Sequence, residues 1–561
     1  MIADHTHVKS GQIRTEFVQF PNQTGLNIAA CVDHTGEQRS RPWVLIAPKY
    51  GETKKSNLQL AYHLAANGLN VLRFDHTNHV GESEGKALDF QLPGAVEDIT
   101  ACLDFLAETY EVGRVTIVAN SLSARCALRA AANDARVQKF ISVAGVVNLL
   151  ATMSEIYRED ILSQYRAGRR WGVTNFLGLD VHGDAFLASA INAQLYDLPG
   201  TVADAGGLRV PFIYFFAEHD TWVRRGEVEQ VVAANPLARM ILVPAAMHEV
   251  RENPRATEQL FREVIWSCLF DGPCPPDAAK VLRTPERKAV LEQNRREREQ
   301  MRRAEQPAET EKEFWSGYLK KYAILERSTD YQEYLQLLGR LCRPLPAGAA
   351  VLDAGCGNGM FGLWVLHETA RRKTRTAPDD PLVYVGLDLT HRGLSDAMTR
   401  HVEVRRPALM EAMPGVQYSM IDFDLLENGT PAAQLPFADG TFDLICCSLV
   451  LSYLKRPEAL LRELYRLLKP GGIFVASSMK PHCDLSAIYR DSIAQQVTPE
   501  EVEAGRDLLR AAGKIKLKEE VGHYAFFSQT ELAGLVLDAG FNVRESQPSF
   551  GDQAVVVKAV K

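Results

Sequence analysis

Ser121, Asp220 and His248 are residues whose types and order could together perform nucleophilic chemistry. Ser121 sits in Ile117–Arg125, IVANSLSAR, where a buried apolar strand turns at once into a helix. Its flanks, Ala119 and Ser123, are small, as a tight strand-to-helix turn requires. A serine here has a second reading, as a helix N-cap. Asp220 follows the apolar run in PFIYFFAEHDTWV, and His248 follows the one in MILVPAAMHEV. A serine hydroxyl is a poor nucleophile until an imidazole takes its proton. A buried carboxylate then fixes the tautomer and steadies the imidazolium. The set points to acyl chemistry on an ester or thioester. A lone histidine reads as structural, and His5, His7, His34, His63 and His182 are read so.

A second constellation lies past residue 350. VLDAGCGNGMFGLWVL gives strand, glycine turn and helix, with Asp353, Gly355, Cys356, Gly357 and Gly359 at the turn. Glycines there permit a tight turn and close approach of backbone to a ligand. Alone, such a turn serves dinucleotide and nucleoside binders alike. Asp388 ends the next strand, LVYVGLDLT, where an acid suits two ribose hydroxyls. Asp422, Phe423 and Asp424 end a third, VQYSMIDFDL. Cys356 reads as small and turn-compatible rather than reactive. Tyr453, His482, His523 and Tyr524 follow strands or lie in late insertions, so they are candidates for an acceptor site. Each also has a structural reading.

The elements that must position these residues alternate strongly apolar strands with helical patterns, which implies α/β units with parallel sheets covered on both faces. A charged run, Pro275 to Lys312, has too few apolar residues to bury much surface. It divides the chain into a domain at 1–274, a charged helical linker at 275–312 and a domain at 313–561. Thr284, Pro285 and Glu286 form a helix start, and the pattern continues to about Glu305. At ~1.5 Å per residue this predicts a spacer rod of roughly 30 Å.

Composition sets bounds. The 561 residues are 46% apolar and 24% charged, ordinary for globular domains. The net charge of −7 gives no electrostatic footprint for nucleic acid. The start has no apolar signal region, and no apolar run approaches the ~18 residues that span a bilayer. The ten cysteines lack metal-ligand spacing. No metal is expected, and the reading is a cytoplasmic protein with reduced thiols.

Over about Ile13 to Phe270, VANSLSAR, SVAGVVNLLATM, HTNHVGESEG, AEHDTWV and MHEVREN resemble the LuxD-type acyl transferases. These are acyl-carrier-protein thioesterases that supply fatty acid to bacterial luminescence, on an α/β-hydrolase fold. The resemblance implies Ser121 as nucleophile, His248 as base and Asp220 as orienter. It implies a long-chain acyl thioester as substrate and an acyl carrier protein as partner. The oxyanion donors would be the backbone N–H groups of Leu122 and Tyr50. Tyr50 lies in Pro48-Lys49-Tyr50-Gly51, where the family has a smaller, glycine-containing turn. Leu149 to Gly207 is a helical insertion rich in apolar residues, Tyr165, Trp171, Phe176 and Phe186 among them. It reads either as a lid over an acyl tunnel or as packing onto the sheet.

The second constellation, with LPF…FDLI and LLKPGG in order, resembles the class I S-adenosylmethionine methyltransferases, which have a Rossmann-like fold. By that likeness Asp353 and the turn, Cys356 included, hold the methionine end of S-adenosylmethionine. Asp388 holds the ribose, Asp422 and Phe423 the adenine, and Leu389 and Ser448 also line the cofactor. A small molecule would accept the methyl group. The aromatic stretch Phe314 to Tyr334 reads as a lid or as the face of two packed helices. The expected protein is a bifunctional enzyme of acyl release or transfer and methylation. Alternatives are methylation of a carrier-bound chain before release, a silent first domain that docks a carrier, and a plain carboxylesterase.

Overall fold

The computed structural model describes residues 13–36, 41–157, 159–176, 178–304, 310–320, 322–346, 348–373, 382–404, 415–426, 434–483 and 499–561. The expected readings of His5 and His7 lie outside them. The chain forms two compact units, 1–306 with 513–522, and 307–512 with 523–561.

The first unit is built on an eight-stranded sheet. Its strands are β1 (Arg14–Pro21), β2 (Asn27–His34), β3 (Trp43–Ala47), β4 (Asn70–Phe74), β5 (Val115–Asn120), β6 (Val137–Val143), β9 (Phe212–Ala217) and β10 (Ala238–Val243). They lie in the order β1-β2-β4-β3-β5-β6-β9-β10, with β2 antiparallel to both its neighbours, β1 and β4, and every other pair parallel. The central strands are buried on both faces. Along β3, Leu45 and Ala47 enter one apolar core while Val44 and Ile46 enter the other. This is why the run reads as continuously apolar. Three helices matter for the site: α1 (Leu58–Ala66), α2 (Leu92–Tyr110) and α3 (Ser121–Asn133), which begins directly at the end of β5.

The insertion after Leu149 is not wholly helical. It carries an antiparallel hairpin, β7 (Val173–Phe176) with β8 (Leu179–His182). The β-branched Val173 and Thr174 favour the strand, and Gly178 turns the chain at φ 98°.

The charged run also departs from expectation. Its helix, Arg287–Ala304, is part of the first unit rather than a free-standing rod. Glu297 is 6% exposed and accepts from both terminal nitrogens of Arg73, at 2.7 and 2.6 Å. Arg73 has no exposed side-chain surface and also donates to Asp33 at 2.6 Å. Burial would raise the Glu297 carboxyl, but the Arg73 guanidinium holds it below the usual range. Removing one partner of such a buried pair costs roughly 3–5 kcal/mol. Residues 513–522, read as part of the second domain, belong to this unit as well. Glu520 is 2% exposed and accepts from Thr53 N and Oγ1, both at 3.2 Å.

The second unit holds a seven-stranded sheet in the order β13-β12-β11-β14-β15-β17-β16. The strands are β11 (Ala350–Ala354), β12 (Val383–Asp388), β13 (Gly415–Met420), β14 (Phe442–Cys447), β15 (Leu468–Met479), β16 (Asn542–Ser549) and β17 (Ala554–Val560). β17 runs antiparallel to both β15 and β16. Chain order reverses beside β11, whose neighbours are β12 and β14, and such switch points place ligands at the carboxyl ends of strands. Among the described residues no helix is long and apolar enough to cross a membrane.

Candidate active site

In the first unit the three residues at the strand ends meet. Ser121 Oγ lies 2.8 Å from His248 Nε2, and His248 Nδ1 lies 2.9 Å from Asp220 Oδ2. An ionised carboxylate only accepts, so Nδ1 carries the proton and Nε2 faces Ser121 with a lone pair. Asp220 Oδ1 accepts from Trp222 N and Val223 N, at 2.8 and 3.1 Å, so its carboxylate is held on both sides. The indole of Trp222 stacks on the His248 ring at 4.5 Å.

Ser121 does not cap α3. The cap position is Asn120, which makes no side-chain cap bond. Ser121 instead has φ 50°, the left-handed region that a non-glycine residue occupies only when its surroundings hold it there. That strain lifts the hydroxyl out of the strand–helix turn, as a nucleophile elbow does.

Leu122 is the residue after Ser121, in the first helical turn, whose N–H groups have no partner within the helix. Tyr50 lies in the turn after β3. Glu52 N bonds Lys49 O at 3.0 Å, and Gly51 N donates to His79 Nε2 at 3.1 Å. Burial and the neighbouring His76 bring His79 down to about 3, so its ring stays neutral and can accept that bond. The Tyr50 ring turns away to pack on His79 and Phe90.

A buried ionic clasp, not legible beforehand, ties this turn to the segment carrying His248. Lys49 pairs with Glu249 and lies 3.2 Å from Glu52. Arg251 donates to Glu249 through Nε at 2.8 Å and Nη2 at 3.0 Å, pairs with Glu52, and donates to Ser56 O at 3.0 Å. Burial would raise the Glu52 carboxyl; Arg251 and Lys49 outweigh it and hold Glu52 down at about 2. Side chains thus do here what a small glycine turn would do by fit.

A second serine–histidine–aspartate chain also escaped the sequence reading. Ser123 Oγ is 3.4 Å from His76 Nε2, and His76 Nδ1 is 3.2 Å from Asp98 Oδ2. All three are at most 4% exposed. Asp98 further accepts from Thr77 N, Thr77 Oγ1 and Asn22 Nδ2. This saturated network anchors α2 and α3 beneath the elbow.

A cavity of about 30 Å³ opens beside Ser121 and His248. It is bordered by Asn57, Asn120, Lys49, Glu249 and Arg251 and lined on its apolar side by Leu60, Val143 and Phe261, and no described residue of the 149–207 insertion lines it. Ile161, Phe176, Leu179 and Phe186 are at most 4% exposed within the core, which favours the packing reading of that insertion.

In the second unit the strand ends converge as well. Gly355 N and Cys356 N both donate to Leu387 O at 2.8 Å, and Gly357 N donates to Asp388 Oδ2 at 2.8 Å. Asp388 Oδ1 accepts from Thr390 N and Oγ1, with the half-buried Leu389 between them. Ile421 N bonds Asp388 O at 2.8 Å and brings Asp422 alongside. Gly355 has φ 86°, and a Cβ there would fall 2.1 Å from Val450 Cγ2, so the position tolerates nothing larger. Asp353 accepts from Tyr384 Oη at 2.7 Å, and burial raises its carboxyl to about 7. Burial also pushes the Cys356 thiol well up, which argues against a reactive thiolate. Phe423 is 6% exposed within the sheet's core, and Asp422 caps the short helix at Phe423–Leu425. Ser448 Oγ is 2.5 Å from Tyr334 Oη, which also reaches Ser477 Oγ at 2.6 Å.

Of the acceptor candidates, Tyr453 and Tyr524 come together, with ring centroids 4.9 Å apart and Trp315 4.5 Å from Tyr453. Tyr524 Oη donates to Glu311 at 2.5 Å. His482 sits in the turn after β15 at φ 60°, and His523 in the turn just before Tyr524. The aromatic stretch is a packed face, with Phe314, Tyr318, Tyr331 and Tyr334 buried, and it is also pinned beside the glycine turn. Glu326 takes both terminal nitrogens of Arg400 at 2.9 and 2.8 Å and pairs with Asn358 of that turn.

Two regions of the chain match known families. Residues 18–253 match the family model described as acyl transferase, and residues 326–546 match the one described as methyltransferase domain. The acyl transferase of Photobacterium phosphoreum is 28% identical over 212 residues, covering 37% of this chain and 69% of that protein. That of Aliivibrio fischeri is 27% identical over 228 residues, covering 40% and 73%. Among solved structures, Est1E from Butyrivibrio proteoclasticus is similar at 12% identity and a TM-score of 0.38, covering 45% of this chain and 98% of that one. The chain is an enzyme that joins an acyl-transferase-like domain to a methyltransferase domain.

Proposed function

We propose that the first unit cleaves an acyl thioester through an acyl-Ser121 intermediate and that the second methylates a product of the same pathway with S-adenosylmethionine. The observation that carries the first half is the chain Ser121–His248–Asp220, at 2.8 and 2.9 Å, on a left-handed serine. Ser121 Oγ attacks the thioester carbonyl while His248 Nε2 takes its proton. Leu122 N and Tyr50 N are the donors for the developing oxyanion, and Asp220 steadies the imidazolium. His248 then returns the proton to the departing thiolate. An acyl-carrier protein is the proposed thioester donor, and the relatives' name, acyl transferase, supports the acyl group alone.

The residues of the second unit fit the methyl donor. At Gly357 an added Cβ would meet nothing nearer than Leu319 Cδ2 at 3.8 Å, so the turn leaves space beside its backbone, and Asp353 and Asp388 stand at the ends of adjacent parallel strands. Asp353, Gly355, Cys356, Gly357 and Gly359 would hold the methionine end, Asp388 and Leu389 the ribose, and Asp422 the adenine edge. Phe423 and Ser448 would back the site, from the core and from the Tyr334 network. When bound, S-adenosylmethionine supplies a methyl group on a sulfonium, open to in-line displacement. Burial keeps the Tyr453 and Tyr524 phenols well above their ordinary range, so neither serves as a base, and Tyr524 Oη already donates to Glu311. Such a site suits an acceptor that is already anionic. The released carboxylate is therefore the proposed acceptor, and the product a methyl ester. Intact-mass analysis after incubation with acyl carrier thioesters and S-adenosylmethionine tests this. Methyl ester is expected; free acid with no ester, at any chain length, rejects the carboxylate acceptor.

A further inference from the structure

Whether acyl-Ser121 passes its acyl group to water or to another acceptor is decided by what can stand beside Ser121 once it is acylated. A cavity there is a place for water. Its volume, about 30 Å³, has room for one or two waters, each needing ~10–15 Å³. Ser121 and His248 form part of its wall, with Ser56, Asn57 and Asn120.

Asn57 is the informative wall residue. It is 3% exposed, at the end of the short helix Lys54–Asn57 just before α1. Its Oδ1 accepts from Asn120 Nδ2 at 3.4 Å, and Asn120 directly precedes Ser121. Its Nδ2 is buried without any hydrogen-bond partner. A buried amide left so costs about 1–3 kcal/mol unless a ligand meets it. The floor of Leu60, Val143 and Phe261 offers it none.

We propose that this cavity is the binding site of the deacylating water and that Asn57 positions that water. The inference rests on the acyl-Ser121 reading above. In the free enzyme His248 Nε2 is engaged by the Ser121 hydroxyl. Acylation consumes that hydroxyl, and once the thiol has left with its proton, Nε2 has a lone pair facing the cavity. A water held through its oxygen by Asn57 Nδ2–H donates one O–H to Nε2. Its oxygen attacks the acyl carbonyl as its proton moves to His248. The bond to Ser121 Oγ then breaks, Oγ takes the proton back, and the products are free acid and Ser121.

Stopped-flow acylation by a p-nitrophenyl acyl ester separates the two half-reactions, with intact mass reporting acyl-Ser121. Asn57→Leu and Asn57→Asp are expected to retain the p-nitrophenol burst within about threefold, to slow deacylation at least tenfold, and to accumulate acyl-Ser121. Hydroxylamine, a nucleophile that does not depend on the water site, should discharge the accumulated acyl group. Asn57→Ser, which keeps a donor, should recover part of the deacylation rate. Unchanged deacylation in Asn57→Leu, or an equal fall of burst and deacylation in all three variants, overturns the inference. A wild-type protein that never acquires an acyl group on Ser121 is a separate result, and it removes the triad reading itself.

Discussion

The two sheets each place their chemistry at a turn after a central strand, β5 in one and β11 in the other, but they hold that turn by opposite means. At the β11 turn the backbone is the working part. Side chains are withdrawn, and Gly355, Gly357 and Gly359 all have positive φ. At the β3 and β5 turns side chains are the working part. A left-handed serine, a neutral His79 and a four-residue ionic clasp fix groups that glycine alone would leave loose. A site that receives a ligand needs space close to the main chain, whereas one that makes a covalent bond needs a nucleophile and its base held to a fraction of an ångström. The contrast predicts that the second site breaks by steric filling and the first by loss of charge.

The largest effect should come from filling. Gly355→Val places a branched side chain where Val450 already sits, on a backbone that β-branched residues disfavour. Methyl-donor affinity, measured by calorimetry, should fall by roughly 100-fold or more, about 3 kcal/mol at 1.36 kcal/mol per decade, while the esterase burst of the first unit persists. Retained donor binding would refute a backbone-built site.

Next is the clasp. Glu249→Gln removes the acid shared by Lys49, Arg251 and, at 3.8 Å, Lys516, and leaves Glu52 alone to balance Lys49 and Arg251 in a buried site. A loss of about 3 kcal/mol in stability is expected, together with a fall in kcat larger than any rise in KM, because the proposed oxyanion turn and the His248 segment lose their tie. A change confined to KM would mean that the clasp shapes substrate binding instead.

The smallest effect concerns Asp353. Burial raises its folded value to about 7 from an ordinary 3.8. Its contribution to stability is therefore full below about pH 4 and erodes as pH rises toward 7, since the unfolded chain ionises first. Asn cannot ionise and can still accept from Tyr384. The melting-temperature difference between Asp353→Asn and wild type should move in favour of Asn from pH 5 to pH 8. A shift the other way would mean that the carboxylate is stabilised in the fold.

Much of this was legible in the residues. The order Ser121, Asp220, His248 after apolar runs, and the glycine turn with Asp388 at the next strand end, follow from local composition and periodicity. The clasp was not, because Lys49 and Glu249 are 200 positions apart and charged residues carry no periodic signal that names a partner. Glu297 shows the same limit. Within its own segment it belongs to a solvated face, and only the fold brings Arg73, 224 positions away, to bury it. Asn57 gave no signal either, since its meaning lies in an amide left unpaired beside the nucleophile.

The central claim is that Ser121 is an assembled nucleophile. Treatment of the full chain with a fluorophosphonate, followed by peptide mapping, tests it most directly. The account predicts stoichiometric labelling at Ser121 that His248→Ala abolishes and Gly355→Val leaves intact. An unlabelled protein, or a label on any other serine, would contradict it.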